Sequence, residues 1–312
     1  MQILLDIIAP VFGIVALGYG AARLGWFSAQ ATDGVGAFVF NFAIPALLFR
    51  SMARMVFPDE IDWGFLVAYF GGGYLAWAAA MAVSALVFRR DTATAAVAGM
   101  GGAFGNTVLL GIPLVLTTYG DAGALPVFLI VSFHSWQLFT VVTVLIEGGR
   151  GNRARLRDLP RSILGALVRN PILMGVLGGL LWNAADLSLP RFADGILETL
   201  GQAALPCAIF TMGASLATFR LRGALAEAGS MVACKLLLHP AAVFVLGTWV
   251  FELQPLWRDT AVIVAAMPTG INVYLFAQRY DAGVAPVATA MLMATALSVV
   301  TVSLLLHGLG VR

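Results

Sequence analysis

Two short stretches gather the residues best suited to hold a ligand. One reads Gly99-Met-Gly-Gly-Ala-Phe-Gly105-Asn106-Thr107 and continues into Gly111-Ile112-Pro113; the other reads Met267-Pro268-Thr269-Gly270-Ile271-Asn272. Glycine relaxes a helix, and proline removes an amide donor and crowds the preceding turn. Both stretches therefore predict a helix that stops and restarts. A restarted helix offers unpaired amides and a partial positive charge, which suits a carboxylate or another anion. Asn106 and Thr107 sit at the first break, next to Gly105, and Thr269, Gly270 and Asn272 at the second. The asparagine amides add donors without a fixed charge. These six residues are the candidate substrate-binding set; the plainer alternative is that both asparagines only satisfy broken backbone.

A second tier of polar residues lies in apolar surroundings. Lys235 is the only lysine, and His239 follows one helical turn later, before Pro240. An intramembrane cation faces a partner or a cavity by default. Lys235 reads either as an electropositive or proton-linked element near an anion path, or as a side chain reaching toward a helix end or toward carbonyls freed by Pro240. His134, beside Ser132, Ser135 and Gln137, is of a type that titrates near neutral pH, or else a hydrogen-bonded core residue. Pro45 and Pro206 predict matching interruptions that either shape a cavity wall or serve packing alone.

The elements that must position these residues are membrane spans. The chain is 60% hydrophobic and 11% charged over 312 residues, with a mean hydropathy of +0.92. Lipid tolerates such a surface and water does not. With about 20 apolar residues needed per crossing, the pattern predicts ten spans, at roughly 3–23, 34–53, 64–88, 95–118, 124–146, 163–185, 196–217, 226–250, 260–279 and 285–307. Only short connectors remain, so a soluble enzyme, a nucleic-acid binder and a receptor with a large outer module are poorly served. Cys207 and Cys234 fall inside spans and imply no disulfide framework. The first apolar stretch carries Asp6 and lacks a basic leader, so it reads as a span rather than a cleavable signal.

The halves repeat each other. Asp121-Ala-Gly-Ala-Leu-Pro-Val127 returns as Asp281-Ala-Gly-Val-Ala-Pro-Val287, 160 positions on, and Ala43-Ile44-Pro45 returns as Ala204-Leu205-Pro206, 161 positions on. Five spans fit in each interval, an odd number, so the second copy is expected upside down, as in many secondary transporters. The expected division is 1–150, a basic connector at 151–162, and 163–312. Asp121 and Asp281 read as helix caps ahead of Pro126 and Pro286, and Asn170-Pro171 as a helix start or a kink. With the connector in the cytoplasm, arginines crowd the cytoplasmic ends and both termini lie outside. The arginine run reads as a solvated topology signal, with contact to anionic lipid as the lesser alternative.

No acidic residue stands near the middle of a predicted span, which speaks against a carboxylate proton relay or a hard-cation cage. Sodium held by carbonyls and amides at the breaks stays open, and so does proton coupling. No phosphate loop, HExxH zinc motif or GxSxG serine elbow is present, and the three histidines lie in separate spans, so neither catalysis, a metal site nor a cofactor is expected.

These residues resemble the auxin efflux carrier family, which includes plant auxin exporters and bacterial carriers linked to malate or malonate. The matching phrases are Phe40-Asn41-Phe42-Ala43-Ile44-Pro45, Gly105-Asn106-Thr107 with Gly111-Ile112-Pro113, Asn170-Pro171, Lys235 through His239-Pro240, and Met267 through Asn272. The resemblance implies an all-α, ten-span fold like that of bile acid/sodium symporters. It implies a scaffold of spans 1, 2, 6 and 7, and a moving domain of spans 3–5 and 8–10 whose crossed spans 4 and 9 hold the substrate. Asn106 and Asn272 inherit the carboxylate-binding role. It also implies a homodimer, an elevator-like movement and, given the brief connector, a compact member in a bacterial inner membrane. The expected activity is transport of a small organic anion such as malate, malonate or an auxin-like acid, with export favoured. A sodium- or proton-coupled symporter of the same fold is the nearest alternative, and an anion channel a more distant one.

Overall fold

The computed structural model describes residues 8–56, 61–151, 153–219 and 224–311, with backbone alone at 153–156 and 166. Asp6, Arg220, Arg222 and Arg312 lie outside the described residues. The helices run α1 (Ala9–Arg23), α2 (Ala29–Phe38), α3 (Ile44–Ala53), α4 (Gly64–Leu86), α5 (Thr92–Ala103), α6 (Ile112–Tyr119), α7 (Ala124–Gly149), α8 (Arg153–Val168), α9 (Pro171–Ala184), α10 (Arg191–Leu216), α11 (Leu225–Ala233), α12 (His239–Val245), α13 (Pro255–Ala265), α14 (Ile271–Tyr280) and α15 (Val284–Gly308). Widened π-helical turns at Val39–Ala43 and Cys234–Leu238 join α2 to α3 and α11 to α12. Among the described residues, six stretches are long and apolar enough to cross a bilayer: Ala29–Ala53, Gly64–Leu86, Thr107–Gly149, Arg191–Leu216, Leu225–Val250 and Val284–Gly308. Helices are one of only two spanning structures that satisfy every backbone group internally, and this is an integral membrane protein with several crossings.

Local chemistry sets several helix starts. Ser28 accepts from the Ala31 amide at 3.1 Å to begin α2, and Asp91 accepts from Thr94 at 2.7 Å to begin α5. Asn170 accepts from Ile172 and Leu173, with Pro171 in the first position of α9, as its sequence predicts. The caps expected of Asp121 and Asp281 do not form. Gly123 and Gly283 stand in the capping positions of α7 and α15 without a side-chain bond. Asp281 itself takes a left-handed conformation at the end of α14, with φ +49°. Pro126 and Pro286 fit because the first turn has no intrahelical partner for its amides in any case.

Glycines decide how the helices meet. A Cβ on Gly18 of α1 would run into the Phe210 carbonyl of α10, and one on Gly213 of α10 into the Val15 carbonyl of α1. Gly175 and Gly179 of α9 lie equally hard against the backbone of Pro45 and Phe49 on α3. Lipid gives helices no hydrophobic reason to associate, so such close approach, rich in dispersion contacts, does that work. Pro45 is thus a packing residue, half-buried beneath Gly175. Pro206 is exposed, and α10 continues through it unbroken. Of the paired interruptions expected at Pro45 and Pro206, the first is present as the widened turn Val39–Ala43 ahead of Pro45, and the second is absent. The arginines of the basic connector lie largely on α8, which packs on α7 and meets α9.

Candidate functional site

Both predicted breaks are present, and they lie against each other. Helix α5 ends at Ala103 and the chain turns extended at Phe104; helix α13 ends at Ala265 and the chain is extended again at Gly270. The extended segments run antiparallel with Gly105 opposite Thr269. Asn106 donates its backbone amide to the Pro268 carbonyl at 2.8 Å, and Gly270 donates to the Phe104 carbonyl at 3.0 Å. The Thr269 hydroxyl donates to the Gly101 carbonyl at 3.0 Å. Each interruption thus satisfies much of the backbone that the other exposes.

The restarts are where donors remain. Thr107–Gly111 is a π-helical turn leading into α6, and α14 begins at Ile271. Their first amides have no carbonyl one turn back to bind. Asn106 Oδ1 accepts from the Leu109 amide at 3.2 Å, which leaves its Nδ2 as a donor. Gly270 gives α14 no side-chain cap, and Asn272 sits two residues into the restart. Asn106 and Asn272 are both partly exposed, whereas Gly105, Thr107, Thr269 and Gly270 are buried around them. The six predicted residues therefore come together at one crossing.

The second-tier residues collect behind it. Lys235 is 0% exposed, His134 0%, His239 1% and Tyr69 1%. Lys235 Nζ donates to the Ala265 carbonyl, at the end of α13 where helices leave carbonyls unpaired and favour cations. It also reaches His239 Nδ1 at 3.1 Å. An ammonium only donates, so Nδ1 must accept there. Gly105 leaves the space that this lysine fills, since a Cβ on it would stand 3.2 Å from Lys235 Cε. Tyr69 Oη lies 3.2 Å from His134 Nδ1, and the Phe104 ring stacks obliquely 4.5 Å from the His134 ring. Tyr69 is a partner that sequence reasoning did not find; no local pattern ties it to a histidine 65 positions away.

A second constellation was also missed. Arg50 grips Asp194 through Nε at 2.7 Å and Nη2 at 3.2 Å, with Glu198 at 3.4 Å; Arg54 lies 3.2 Å from Asp194. The i, i+4 arginine pair on α3 matching an i, i+4 acidic pair on α10 was the available signal. A cavity of about 1030 Å³ opens beside them, between α3, α10 and the starts of α7 and α13. Arg50, Arg54, Pro126, Glu198, Gln202 and Trp257 help to line it, and neither Asn106 nor Asn272 does. Two further acids pair with arginines, Glu227 with Arg90 and Asp259 with Arg258, each at 2.8 Å. Among the described residues, no group of three or more histidine, cysteine or acidic side chains is placed to hold a metal ion.

An all-helical membrane protein with two interrupted helices crossing in its interior belongs to the transporter class, and comparison with known proteins agrees. The family model described as "Membrane transport protein" matches residues 3–306. A Rhizobium meliloti protein named for malonate transport is 30% identical over 96% of this chain and 94% of its own length. Auxin efflux carrier component 8 of Arabidopsis thaliana is 24% identical over 87% of this chain and 88% of its own. A transporter of Methanothermobacter thermautotrophicus is 26% identical across 96% of both. The chain belongs to the auxin efflux carrier family, a family of membrane transporters rather than enzymes.

Proposed function

We propose that the protein is a secondary carrier for a small organic carboxylate and that the crossing is its binding site. The observation that carries this reading is the pair of restarts, side by side, each with unpaired amides and a partly exposed asparagine. Asn106, Thr107 and Asn272 supply donors to the carboxylate, and Gly105, Thr269 and Gly270 form the backbone cradle. Malonate and auxin, named in two relatives, are both carboxylic acids, which supports the same class for this chain.

The apolar stretches are read as ten spans in two inverted repeats, 1–150 and 163–312, joined by the basic segment 151–162. The packing of α1 on α10 and of α9 on α3 supports this, because an in-plane twofold axis exchanges those two pairs. Spans 1, 2, 6 and 7 serve as a scaffold, through which two copies form a homodimer. Spans 3–5 and 8–10 carry the substrate in an elevator-like step. The setting is a bacterial inner membrane with both termini outside, so the cavity beside Arg50 and Arg54 faces outward.

Moving one elementary charge across 100 mV is worth about 2.3 kcal/mol, so a negative cell interior drives an uncoupled carrier toward export. Proton-coupled symport is the second reading, and Lys235 favours it over sodium coupling. Its ammonium already holds the Ala265 carbonyl that a sodium ion at that break would use. The test is flux of malonate, malate and indole-3-acetate into proteoliposomes under an imposed potential, a sodium gradient or a pH gradient, with counterflow measured alongside. Substrate on the far side should accelerate flux, as in a carrier and not in a channel. Flux of every acid indifferent to the protein, or unchanged in both Asn106→Ala and Asn272→Ala, would end the proposal.

A further inference from the structure

We infer that the outer face of α8 binds an anionic phospholipid, with the headgroup on Arg157 and Arg161 and an acyl chain along Leu164 and Val168. The helix has two distinct stripes. Leu159, Ile163 and Leu167, four residues apart, are half-buried on one side, and the helix packs on α7. Arg157, Arg161, Leu164 and Val168 fall on the opposite side at i, i+4, i+7 and i+11, and all four are exposed, Leu164 by 64% and Val168 by 63%. Charge comes first along this stripe and apolar surface follows. A helix rising 1.5 Å per residue places the two arginines about one to three turns above the leucine and valine. That order matches an amphiphile, a phosphate at headgroup depth with hydrocarbon below it, better than a soluble anion or a protein surface.

The charge is available for such a partner. Neither Arg157 nor Arg161 makes an ion pair among the described residues, in contrast to Arg50, Arg54, Arg90 and Arg258, which all do. Arg169 is exposed just past the helix end and adds to the same field. Basic amphipathic helices at a membrane surface gain both apolar burial and attraction to anionic lipid. The site also has a mechanical meaning that rests on the carrier reading: α8 joins α7, assigned to the moving bundle, to α9, assigned to the scaffold. A lipid held there anchors the link across which the movement occurs, so its effect falls on the maximal rate of flux rather than on substrate affinity.

The full-length protein, purified and stripped of lipid in detergent, would be titrated with dioleoylphosphatidylglycerol or dioleoylphosphatidylcholine and followed by native mass spectrometry and thermal melting. Phosphatidylglycerol should remain bound and raise the melting temperature. Its affinity should fall about fivefold for each arginine removed in Arg157→Gln and Arg161→Gln, remain near wild type in Arg157→Lys/Arg161→Lys, and be unaffected by Arg191→Gln at a distant exposed position. Leu164→Gln should weaken binding with both arginines intact. Equal retention of the two lipids, undiminished binding in the double glutamine variant, or the same thermal shift from inorganic phosphate alone would overturn the assignment. These binding measurements need no transported substrate, so they stand or fall apart from the carrier reading. Proteoliposomes with and without phosphatidylglycerol then test the rate effect.

Discussion

The two interruptions look like copies in sequence and differ in construction. At the first, Asn106 caps the turn that follows: its side-chain oxygen accepts from the Leu109 amide and its backbone amide donates to the Pro268 carbonyl. At the second, Gly270 occupies the capping position, extended and without a side chain, and Asn272 stands inside the restarted helix. One asparagine is therefore part of the framework as well as of the proposed site, whereas the other belongs to the proposed site alone. The glycines differ in the same way. A Cβ on Gly270 would lie 2.9 Å from the Phe104 ring and 3.1 Å from the Gly105 carbonyl, whereas one on Gly105 would lie 3.2 Å from Lys235 Cε and 3.5 Å from Met267 Cβ. Similar phrases in a repeat can thus carry dissimilar roles, because each copy is completed by the other.

The largest expected effect tests the tighter side. Gly270→Val forces the Phe104 ring or the crossing strand to move, at about 1–3 kcal/mol of overpacking, and should reduce liposome flux by at least about tenfold. Near-normal flux would mean that the crossing yields more easily than its distances indicate. Gly105→Ala should lose only about threefold, because its nearest neighbour stands 3.2 Å away against 2.9 Å at Gly270; a loss as severe as at Gly270 would erase the contrast. Asn272→Ala and Asn106→Ala should each weaken carboxylate binding about tenfold, the cost of unpaired buried groups being about 1–3 kcal/mol. Only Asn106→Ala should also lower the melting temperature, through loss of a cap worth about 1 kcal/mol. Matching melting temperatures for the two variants would show that the asparagines are equivalent after all.

The smallest effect concerns the far end of α5. The Thr94 amide, donating to Asp91, holds that carboxyl below the usual carboxylate range. A depressed value means that the cap stabilises above the ordinary carboxylate range and fades as pH falls through the folded-state value. Asp91→Ala should cost about 1 kcal/mol at neutral pH and little at strongly acidic pH, with substrate affinity unchanged. Thermal melts across pH would check this, and a constant difference at all pH values would argue against the cap.

Much of the crossing was legible because its signals are local. Glycine, proline and asparagine within six positions announce an interruption at 267–272 whatever surrounds it, and Asn170-Pro171 announces a start. Features that depend on distant chain were not legible in the same way. Nothing near Tyr69 points to His134, and nothing near Arg50 points to Asp194 except a shared spacing. The Asp121 and Asp281 phrases misled because proline is compatible with a helix start that has no side-chain cap, and glycine, Gly123 or Gly283, takes the capping position in both. Pro206 misled for a related reason: the helix remains continuous around it. The basic connector is largely helical because Leu159, Ile163 and Leu167 give it a half-buried apolar stripe, which a count of arginines does not reveal.

The antiparallel bridge between Gly105 and Thr269 has a consequence for biogenesis. Its two halves are separated by more than half the polypeptide, so the ribosome delivers one long before the other. Until the later segment arrives, the Phe104 carbonyl and the Asn106 amide lack the partners they have in the finished protein. Unpaired backbone inside a bilayer is costly, so the early segment must shelter against water, the insertion machinery or a temporary neighbour. Chains truncated before Pro268 should therefore be targets for membrane quality control, even though every helix of their first half is already made.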